Sequence, residues 1–509
     1  MGSKRPFVPA LIFLAAAVVL VAGVRLRLRT MPLERDEGEY AYFGQLLLHG
    51  TAPYAEAYSM KLPGIFVANA AIEGVFGQTP AGIRLGLLAV TLATTAFVFL
   101  AGWRLAGAEA GAIAAASSLL MSVSASVLGF AAHATQFVIL FAAAGLYVLL
   151  EAIEREKAAL FALAGLLMGV AITMKQHGAV FAAFGLVWLL VSRARAKAIG
   201  SYVAAAIAPL VLVFAWLAVA GVFPRFWFWC VTYAGSYATS DSLAHRLDVL
   251  TYQLRATLPL AGFGVLALLG PLFVRGRASL FASLLAVFAA AGVAAGFFFR
   301  AHYFVMLIPA VALLVALASQ AASRRFHPAL GVALALGAAS AMIVVERAYL
   351  FSLSPVEVSR SVYAGNPFPE AEVAGSWLGG QMRDGERLLV LGSEPEINFY
   401  ARRRGATGYV YMYGLMEEQP YAERMQRDLI AEAEAAAPAY VALVGASTSW
   451  LRGPRSKDDV FTWAKRYLAV SYNRVGVVET GDPPRATFGP DAAQATPRAD
   501  GSILIFKRR

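Results

Sequence analysis

The sequence predicts a polytopic α-helical membrane protein of about eleven transmembrane helices with a C-terminal soluble α/β domain. Of its 509 residues, 59% are hydrophobic and 15% are charged, whereas a soluble domain is typically about 45–50% apolar and about 25% charged. Apolar runs long enough to cross a bilayer recur from residue 7 to about residue 345 and then stop. We therefore divide the chain into a membrane domain, 1–350, and a soluble domain, 351–509.

The apolar runs predict the order of the membrane helices. They lie at about 7–24, 82–103, 108–128, 134–152, 158–174, 178–192, 200–221, 256–274, 279–297, 303–320 and 328–346. One helix over 158–191 would be about 50 Å long, which exceeds a hydrocarbon core of about 30 Å. This stretch is therefore predicted to be a hairpin that turns near Lys175, Gln176 and His177.

The basic residues orient these helices. If the N-terminus is cytoplasmic, the cytoplasmic connections contain Arg104, Arg155, Lys157, Arg193, Arg195, Lys197, Arg275, Arg277, Arg324 and Arg325. This distribution follows the positive-inside rule and explains the net charge of +11 without a nucleic-acid partner. The exceptions are Arg25, Arg27 and Arg29, which follow the first helix on the outer side.

This orientation gathers the polar residues on the outer face. The long connections 25–82 and 222–255 lie there, as do the short ones near His133, Lys175 and Arg300. Transporters more often have ionisable groups near the bilayer midplane. Trp227, Trp229, Tyr233 and Tyr237, in the second long connection, are typical of an aromatic belt at the headgroup level or of a contact with a sugar or prenyl chain.

The last 150 or so residues alternate short apolar strands with helices. Strands are predicted at 388–391, 408–413, 439–444, 475–479 and 502–507, and helices at 394–404, 419–436 and 460–469. This alternation predicts a three-layer α/β domain with a mostly parallel sheet. Gly392, Ser393 and Glu394 lack the spacing of a dinucleotide-binding motif, so no nucleotide site is expected.

The densest acidic cluster, 34–40, follows the first helix and contains Asp36 and Glu37. Such carboxylates are either solvated loop charges or general bases that accept a proton from an attacking hydroxyl. Lys175 lies at a depth where a lone ammonium is costly, so it either reaches the interface or binds a lipid phosphate together with Arg300 and His302. Lys61 is either an interface anchor or a further cation for that phosphate.

Several segments together resemble the polyprenyl-phosphate-dependent membrane glycosyltransferases of the GT-C superfamily. The similarity is to the bacterial glycosyltransferase family 39 type, whose relatives include protein O-mannosyltransferases and the lipid A aminoarabinose transferase. The matching segments are RDEGEY at 35–40, LLLHG at 46–50, Pro53-Tyr54, KLP at 61–63, GLLMGVAITMKQHG at 165–178 and AHYFVMLIP at 301–309. The resemblance covers the membrane domain and is weak over the tail.

The resemblance implies a role for each matching residue. Asp36 is the catalytic base, and Glu37 positions the acceptor or a metal. Lys175, Arg300, His302 and Lys61 bind the donor phosphate, whereas Tyr40, Tyr54, Gln136, Gln176 and Tyr303 bind substrate. Two departures are Thr135-Gln136, where relatives have an acidic residue, and Gly64 in place of a second proline.

The expected activity is transfer of a hexose or pentose, with inversion, from a polyprenyl-phosphate carrier to an extracytoplasmic lipopolysaccharide, other glycan or protein. The resemblance implies a multi-pass plasma (inner) membrane protein with its site in the first outer loop, about 25–81, and a periplasmic C-terminal domain. No cofactor is required, although Asp36 and Glu37 leave room for a divalent cation. A lipid-linked-sugar transporter or flippase is the main alternative, and a sensor or scaffold is a further one.

Overall fold

Length and apolarity determine which helices of the chain can cross a membrane. The computed structural model describes residues 7–237, 243–497 and 501–509. Six helices in that part of the chain are long and apolar enough to span a bilayer: Val8–Arg27, Pro80–Ala106, Ala134–Arg155, Ala196–Val219, Arg277–Phe297 and Ala301–Arg325. The pair Leu243–Ala256 and Leu258–Phe273 is bent by 50° and would make a seventh span. Five further apolar helices are shorter, so the count of eleven crossings stays a prediction.

The helices that organise the membrane part are numbered in chain order. They are α1 Phe7–Arg27, α2 Arg35–Leu48, α3 Gly64–Phe76, α4 Pro80–Ala106, α5 Ala108–Met121, α6 Ala134–Arg155, α7 Ala158–Met174, α8 Ala179–Val191, α9 Ala196–Val219, α10 Phe223–Trp227, α11 Ala234–Tyr237, α12 Leu243–Ala256, α13 Ala261–Phe273, α14 Arg277–Ala294, α15 Ile308–Arg325 and α16 Leu330–Val345. A 3₁₀ segment, Ala301–Leu307, leads into α15. The predicted outer loops 25–82 and 222–255 are therefore largely helical.

The predicted hairpin at 158–191 is confirmed. Lys175 has an extended backbone (φ −161°, ψ 141°) that ends α7. Arg195, after α8, lies 3.3 Å from Glu156, which precedes α7, so the chain returns to the side from which it started. The two arms have 17 and 13 residues, respectively.

The arginines that break the charge rule have partners inside the protein. Arg25 is 5% exposed and donates hydrogen bonds of 3.0 Å to the carbonyls of Ser122 and Gly129. Arg27 donates to the carbonyls of Leu353 and Tyr349. Because their guanidinium groups bind backbone carbonyls inside the protein, these two residues are not loop charges of the kind that the positive-inside rule counts.

The tail contains α17 Pro355–Val362, α18 Phe368–Gln381, α19 Glu396–Ala401, α20 Tyr413–Met416, α21 Ala422–Ala436, α22 Ser447–Trp450, α23 Asp459–Ser471 and α24 Asp491–Gln494. Its strands are β1 Leu388–Leu391, β2 Tyr440–Val444, β3 Tyr472–Glu479, β4 Arg485–Phe488 and β5 Ile503–Arg508, in the order β1-β2-β5-β3-β4.

The prediction of a mostly parallel sheet is wrong. Only β1 and β2 are parallel, and the other three pairings are antiparallel. Strand β4, which follows β3 after a short turn, was missed because it is exposed and lacks an apolar run. The predicted strand 408–413 is not part of the sheet. It forms one isolated β-bridge, between Tyr409 and Tyr58, and is otherwise an irregular segment that ends in α20.

The tail packs directly on α2 and the connection that follows it. Arg35 forms an ion pair of 2.7 Å with Glu394, and Tyr42 accepts a hydrogen bond from the Gly405 amide. At Gly38, a Cβ would lie 2.5 Å from the Cβ of Glu396, so only glycine permits this approach of α2 and α19. The start of α2 is thereby fixed between the membrane helices and the tail.

Candidate active site

Asp36 lies at the start of α2, where two glutamates fix the backbone. Glu34 is the N-cap residue; its side chain accepts a hydrogen bond from the Glu37 amide, and the Glu37 side chain accepts one from the Glu34 amide. This reciprocal capping box stabilises a helix start. The cluster is therefore helical, and Glu34, Glu37 and Glu39 are at most 6% exposed, which rules out the interpretation of these glutamates as solvated loop charge.

The carboxylate of Asp36 is partly accessible, and three side chains surround it. Tyr411 donates a hydrogen bond of 2.8 Å to Oδ1. Lys61 Nζ lies 3.6 Å from Oδ1, and His133 Nδ1 lies 3.6 Å from Oδ2. Burial alone would raise the pKa of Asp36, but Lys61 and His133 hold it well below its usual value.

The neighbouring glutamates differ from Asp36 in their ionisation. Burial raises the pKa of Glu34 to about 7 and that of Glu39 to about 8. Both carboxyls line the same cavity as Asp36. Groups whose environments separate their pKa values in this way can take different chemical roles, and Asp36 is the one of the three whose pKa is lowered rather than raised.

Glu37 faces away from this cavity. Its Oε1 lies 2.6 Å from Arg84 Nη1 and accepts a hydrogen bond of 2.6 Å from the Ala132 amide. Arg84 also donates to the Phe130 carbonyl at 2.6 Å. Glu37 is fully buried and does not line the cavity, so the structure does not bring it together with Asp36 as a catalytic or metal-positioning pair.

The predicted cations gather around one side of the cavity. Lys61, Arg300 and His302 line it. Lys175 lies directly behind them: its Nζ is 3.4 Å from His302 Nε2 and 4.1 Å from the ring centroid of Tyr303, which also lines the cavity. Four basic side chains from three separate segments thus lie near the Asp36 carboxylate.

The other predicted substrate-binding residues support the cavity from outside its lining. Tyr40 contacts Lys61, whose Nζ is 5.9 Å from its ring centroid, and Tyr54 donates a hydrogen bond of 2.6 Å to the Lys61 carbonyl. Gln176 donates to the Met60 carbonyl, and Gln136 donates to the Gly129 carbonyl. These four side chains fix the segments that carry lining residues.

The cavity has a volume of about 410 Å³ and is enclosed jointly by α2, the connection after it, the start of the 3₁₀ segment 301–307 and the tail. Its polar side holds the acid and the cations, and its aromatic walls include Trp229, Tyr233, Tyr409, Tyr411 and Tyr413. A carboxylate base beside a group of cations fits displacement of an anionic leaving group by a hydroxyl.

Comparison with known proteins finds one family model and several solved structures that are similar to the chain. Residues 63–218 match the family model of dolichyl-phosphate-mannose-protein mannosyltransferases. The structure is similar to ArnT from Cupriavidus metallidurans bound to undecaprenyl phosphate (TM-score 0.59, 16% identity, 97% of each chain covered). The matched family segment is 63–218 alone, and the structural similarity shows that the chain shares the fold of this membrane protein.

A second solved structure with a similar fold is the Archaeoglobus fulgidus oligosaccharyltransferase. It matches in complex with zinc and sulfate (TM-score 0.51, 14% identity, 94% of this chain and 72% of that chain). The same protein, as AglB in complex with an inhibitory peptide and a dolichol-phosphate, also matches (TM-score 0.50, 14% identity, 96% of this chain and 75% of that chain covered). No curated protein matches the chain by sequence.

Two histidines and one carboxylate at the cavity fit a metal ion. The ligand atoms of Asp36, His133 and His302 lie within 4.8 Å of one another. The two imidazoles stack at 4.1 Å between ring centroids, and neither nitrogen of the buried His133 forms a hydrogen bond in the described residues. Imidazole and carboxylate donors suit zinc and similar divalent metals. The predicted metal ligands were Asp36 and Glu37; this set contains Asp36 but not Glu37.

The sequence analysis did not predict His133 or the tail tyrosines as site residues. Tyr409, Tyr411 and Tyr413 alternate along 408–413 and all line the cavity. This alternation was a usable signal, because residues two apart in an extended segment share a face. What the sequence lacks is any sign that the segment leaves the sheet and reaches Asp36.

Proposed function

We propose that the protein transfers one sugar from a polyprenyl-phosphate carrier to an acceptor hydroxyl on the extracytoplasmic side of a plasma (inner) membrane, with inversion. The observation that carries this proposal is the position of the Asp36 carboxylate, whose pKa is lowered, beside the basic side chains of Lys61 and Arg300, with His302 and Lys175 adjacent to them. An acceptor needs a base, and a phosphate leaving group needs positive charge as its bond to the sugar breaks.

In the proposed step, Asp36 takes the proton from the acceptor hydroxyl as the oxygen attacks the anomeric carbon. The bond between that carbon and the phosphate oxygen breaks, and polyprenyl phosphate leaves as an anion. Inversion follows from a single displacement in which base and leaving group lie on opposite sides of the carbon. Lys175 would act through its contacts with His302 and Tyr303, because it does not itself line the cavity.

The carrier class is supported by the relatives. ArnT is described with undecaprenyl phosphate, and AglB with a dolichol-phosphate and a peptide. A hexose or a pentose fits the proposal, as does a lipopolysaccharide, other glycan or protein acceptor. A divalent ion held by Asp36, His133 and His302 would supply additional positive charge near the leaving group.

The tail is proposed to roof the cavity and to help select the acceptor. This rests on Tyr409, Tyr411, Tyr413, Thr448 and Leu451, which are tail residues that line the cavity. The proposal requires that the cavity open on the extracytoplasmic side, with the tail in the periplasm.

The test is a donor panel. Purified protein in lipid nanodiscs would be given radiolabelled polyprenyl-phosphate sugars and a membrane extract as acceptor. We expect one donor to be cleaved, with release of polyprenyl phosphate and transfer of label to one extract component, which identifies sugar and acceptor together. A transporter would instead move the lipid-linked sugar without cleavage, so movement of an intact donor with no cleavage in the whole panel contradicts the proposal.

Replacement of Lys61 should change the pH dependence of transfer. Burial raises the pKa of Asp36, and the charge of Lys61 is the largest single influence that lowers it. The base works only when ionised, so wild-type activity should persist to a pH below the ordinary pKa of an aspartate. In Lys61→Met the pKa of Asp36 should rise, which moves the acid limb of the profile to higher pH.

This experiment uses kcat measured from acidic to neutral pH at saturating donor, with a chelator in the buffer. Lys457→Met, a lysine in the tail that does not line the cavity, is the matched control and should retain the wild-type profile. An unshifted acid limb in Lys61→Met would contradict the assignment of Asp36 as the base.

A further inference from the structure

A second cavity lies at the opposite end of α15 from the active site. It has a volume of about 440 Å³ and is formed by the C-terminal ends of α13 and α15 and by the start of α16. Helix α15 has 18 residues, which corresponds to a length of about 27 Å. The 3₁₀ segment before α15 carries His302, so the two cavities are separated by most of a membrane thickness.

The walls of the second cavity are apolar and open to the surroundings of the helices. Leu266, Leu269, Phe273 and Leu334 line it, and Phe273 is 61% exposed. In a chain that spans a bilayer, exposed apolar groups of this kind face lipid. The cavity is thus shaped to hold hydrocarbon chains at the membrane edge.

Positive charge is concentrated at the same cavity. Arg275, Arg324 and Arg325 line it, and its lining contains no carboxylate. Within the described residues none of the three forms an ion pair or donates a hydrogen bond. Glu109 interacts electrostatically with Arg324, but it accepts a hydrogen bond from Ser323 and lies outside the lining.

Other basic residues near this end of the helices have partners in the protein. Arg277 donates a hydrogen bond of 2.6 Å to Ser192 Oγ and lies over the ring of Trp188. Arg104 lies 2.6 Å from Glu151. A general excess of positive charge at cytoplasmic helix ends does not explain why three arginines that form no ion pair and donate no hydrogen bond within the described residues surround one apolar cavity.

We propose that this cavity binds an anionic phospholipid. Its phosphate would lie between Arg275, Arg324 and Arg325, and its acyl chains would run over Leu266, Phe273 and Leu334. The planar guanidinium groups match phosphate oxygens in pairs, and basic pockets between membrane helices select acidic headgroups. This site is separate from the donor site, and the proposal does not depend on the sugar or the acceptor.

The test measures lipid binding by the full-length protein purified in detergent. The probes are phosphatidylglycerol, phosphatidylcholine with the same acyl chains, and soluble glycerol phosphate. Native mass spectrometry gives the lipid affinity, and the midpoint of thermal denaturation gives its effect on stability. We expect phosphatidylglycerol to bind and raise the midpoint, whereas the other two probes do neither at the same concentration.

Arg275→Gln/Arg324→Gln/Arg325→Gln should weaken phosphatidylglycerol binding by about tenfold or more, because each cation near an acidic headgroup adds to the attraction. Lys197→Gln is the matched control. It removes an exposed charge in the first turn of α9, outside the lining of this cavity, and it should retain wild-type affinity. If the triple variant does not fold, Arg275→Gln alone, in the connection after α13, makes the same comparison.

Equal affinity in the variants and the wild type, or equal binding of phosphatidylcholine, overturns the proposal. Binding of glycerol phosphate as strong as that of phosphatidylglycerol also overturns it, because the apolar walls would then contribute nothing. Donor cleavage is assayed separately, so a failure of the sugar-transfer proposal would leave the result for this cavity unaffected.

Discussion

Asp36→Asn should reduce the rate of sugar transfer by at least about a hundredfold, within the range of about 10²–10⁴ that a positioned general base contributes. Asparagine has nearly the same shape and keeps an oxygen that can accept the hydrogen bond from Tyr411. It cannot take a proton from the acceptor hydroxyl. The change should therefore lower kcat while the protein stays folded.

The measurement is the rate of label transfer under saturating donor, with the midpoint of thermal denaturation taken on the same samples. Asp384→Asn makes the same chemical change at a fully exposed tail residue that lies 3.5 Å from Arg403, and it should have wild-type rates. If Asp36→Asn retains more than about a tenth of the wild-type kcat, Asp36 is not the base and the proposed displacement has to be assigned differently.

The membrane helices could be predicted closely because lipid imposes a strict rule on them. A helix must satisfy its backbone hydrogen bonds internally and present apolar side chains over a set length. The predicted segment 158–174 coincides with α7, and the predicted break at Lys175 is present. The basic residues Lys61, Arg300 and His302 were predicted from their place in the chain before the resemblance was considered, and the structure brings them to one cavity.

The different roles of Asp36 and Glu37 could not be predicted, because both residues were expected to lie in a loop. On a helix, adjacent residues point about 100° apart, so one can line a cavity while the other is buried. The spacing of Glu34 and Glu37 is that of a capping box, and it was the local signal that the acidic cluster begins a helix. Which face of that helix meets the cavity depends on Arg84, which is 47 positions along the chain from Glu37.

The contribution of the tail to the site depends on long-range packing. Tyr411 reaches Asp36 across 375 positions of the chain. The alternating pattern of 408–413 fits a strand equally well, and nothing local distinguishes a strand from a segment that leaves the sheet. The structure resolves this choice through the bridge between Tyr409 and Tyr58 and the docking of α2 on the tail.

Glu37→Gln should act on stability, in contrast to the neighbouring Asp36→Asn. The side chains of Glu37 and Arg84 are 0% and 4% exposed, and their atoms meet at 2.6 Å. Removing one charge from a buried pair leaves the other without compensation, which costs about 3–5 kcal/mol in soluble proteins. We expect a lower yield of folded protein and a lower midpoint of thermal denaturation, while the folded fraction turns over far faster than Asp36→Asn.

A double substitution separates the two explanations for any loss in Glu37→Gln. Arg84→Met alone should also destabilise the protein, because it leaves the Glu37 carboxylate buried with only the Ala132 and Glu34 amides as hydrogen-bond donors. Combining the two changes removes both charges, so the double variant should be more stable than the sum of the single effects predicts. The opposite result would be that the stability losses of the two single variants add and that Glu37→Gln lowers kcat as much as Asp36→Asn does. Glu37 would then take part in the reaction. If the double variant is more stable than the sum of the single losses predicts and kcat is preserved, the role of Glu37 is to hold the start of α2 so that Asp36 faces the acceptor.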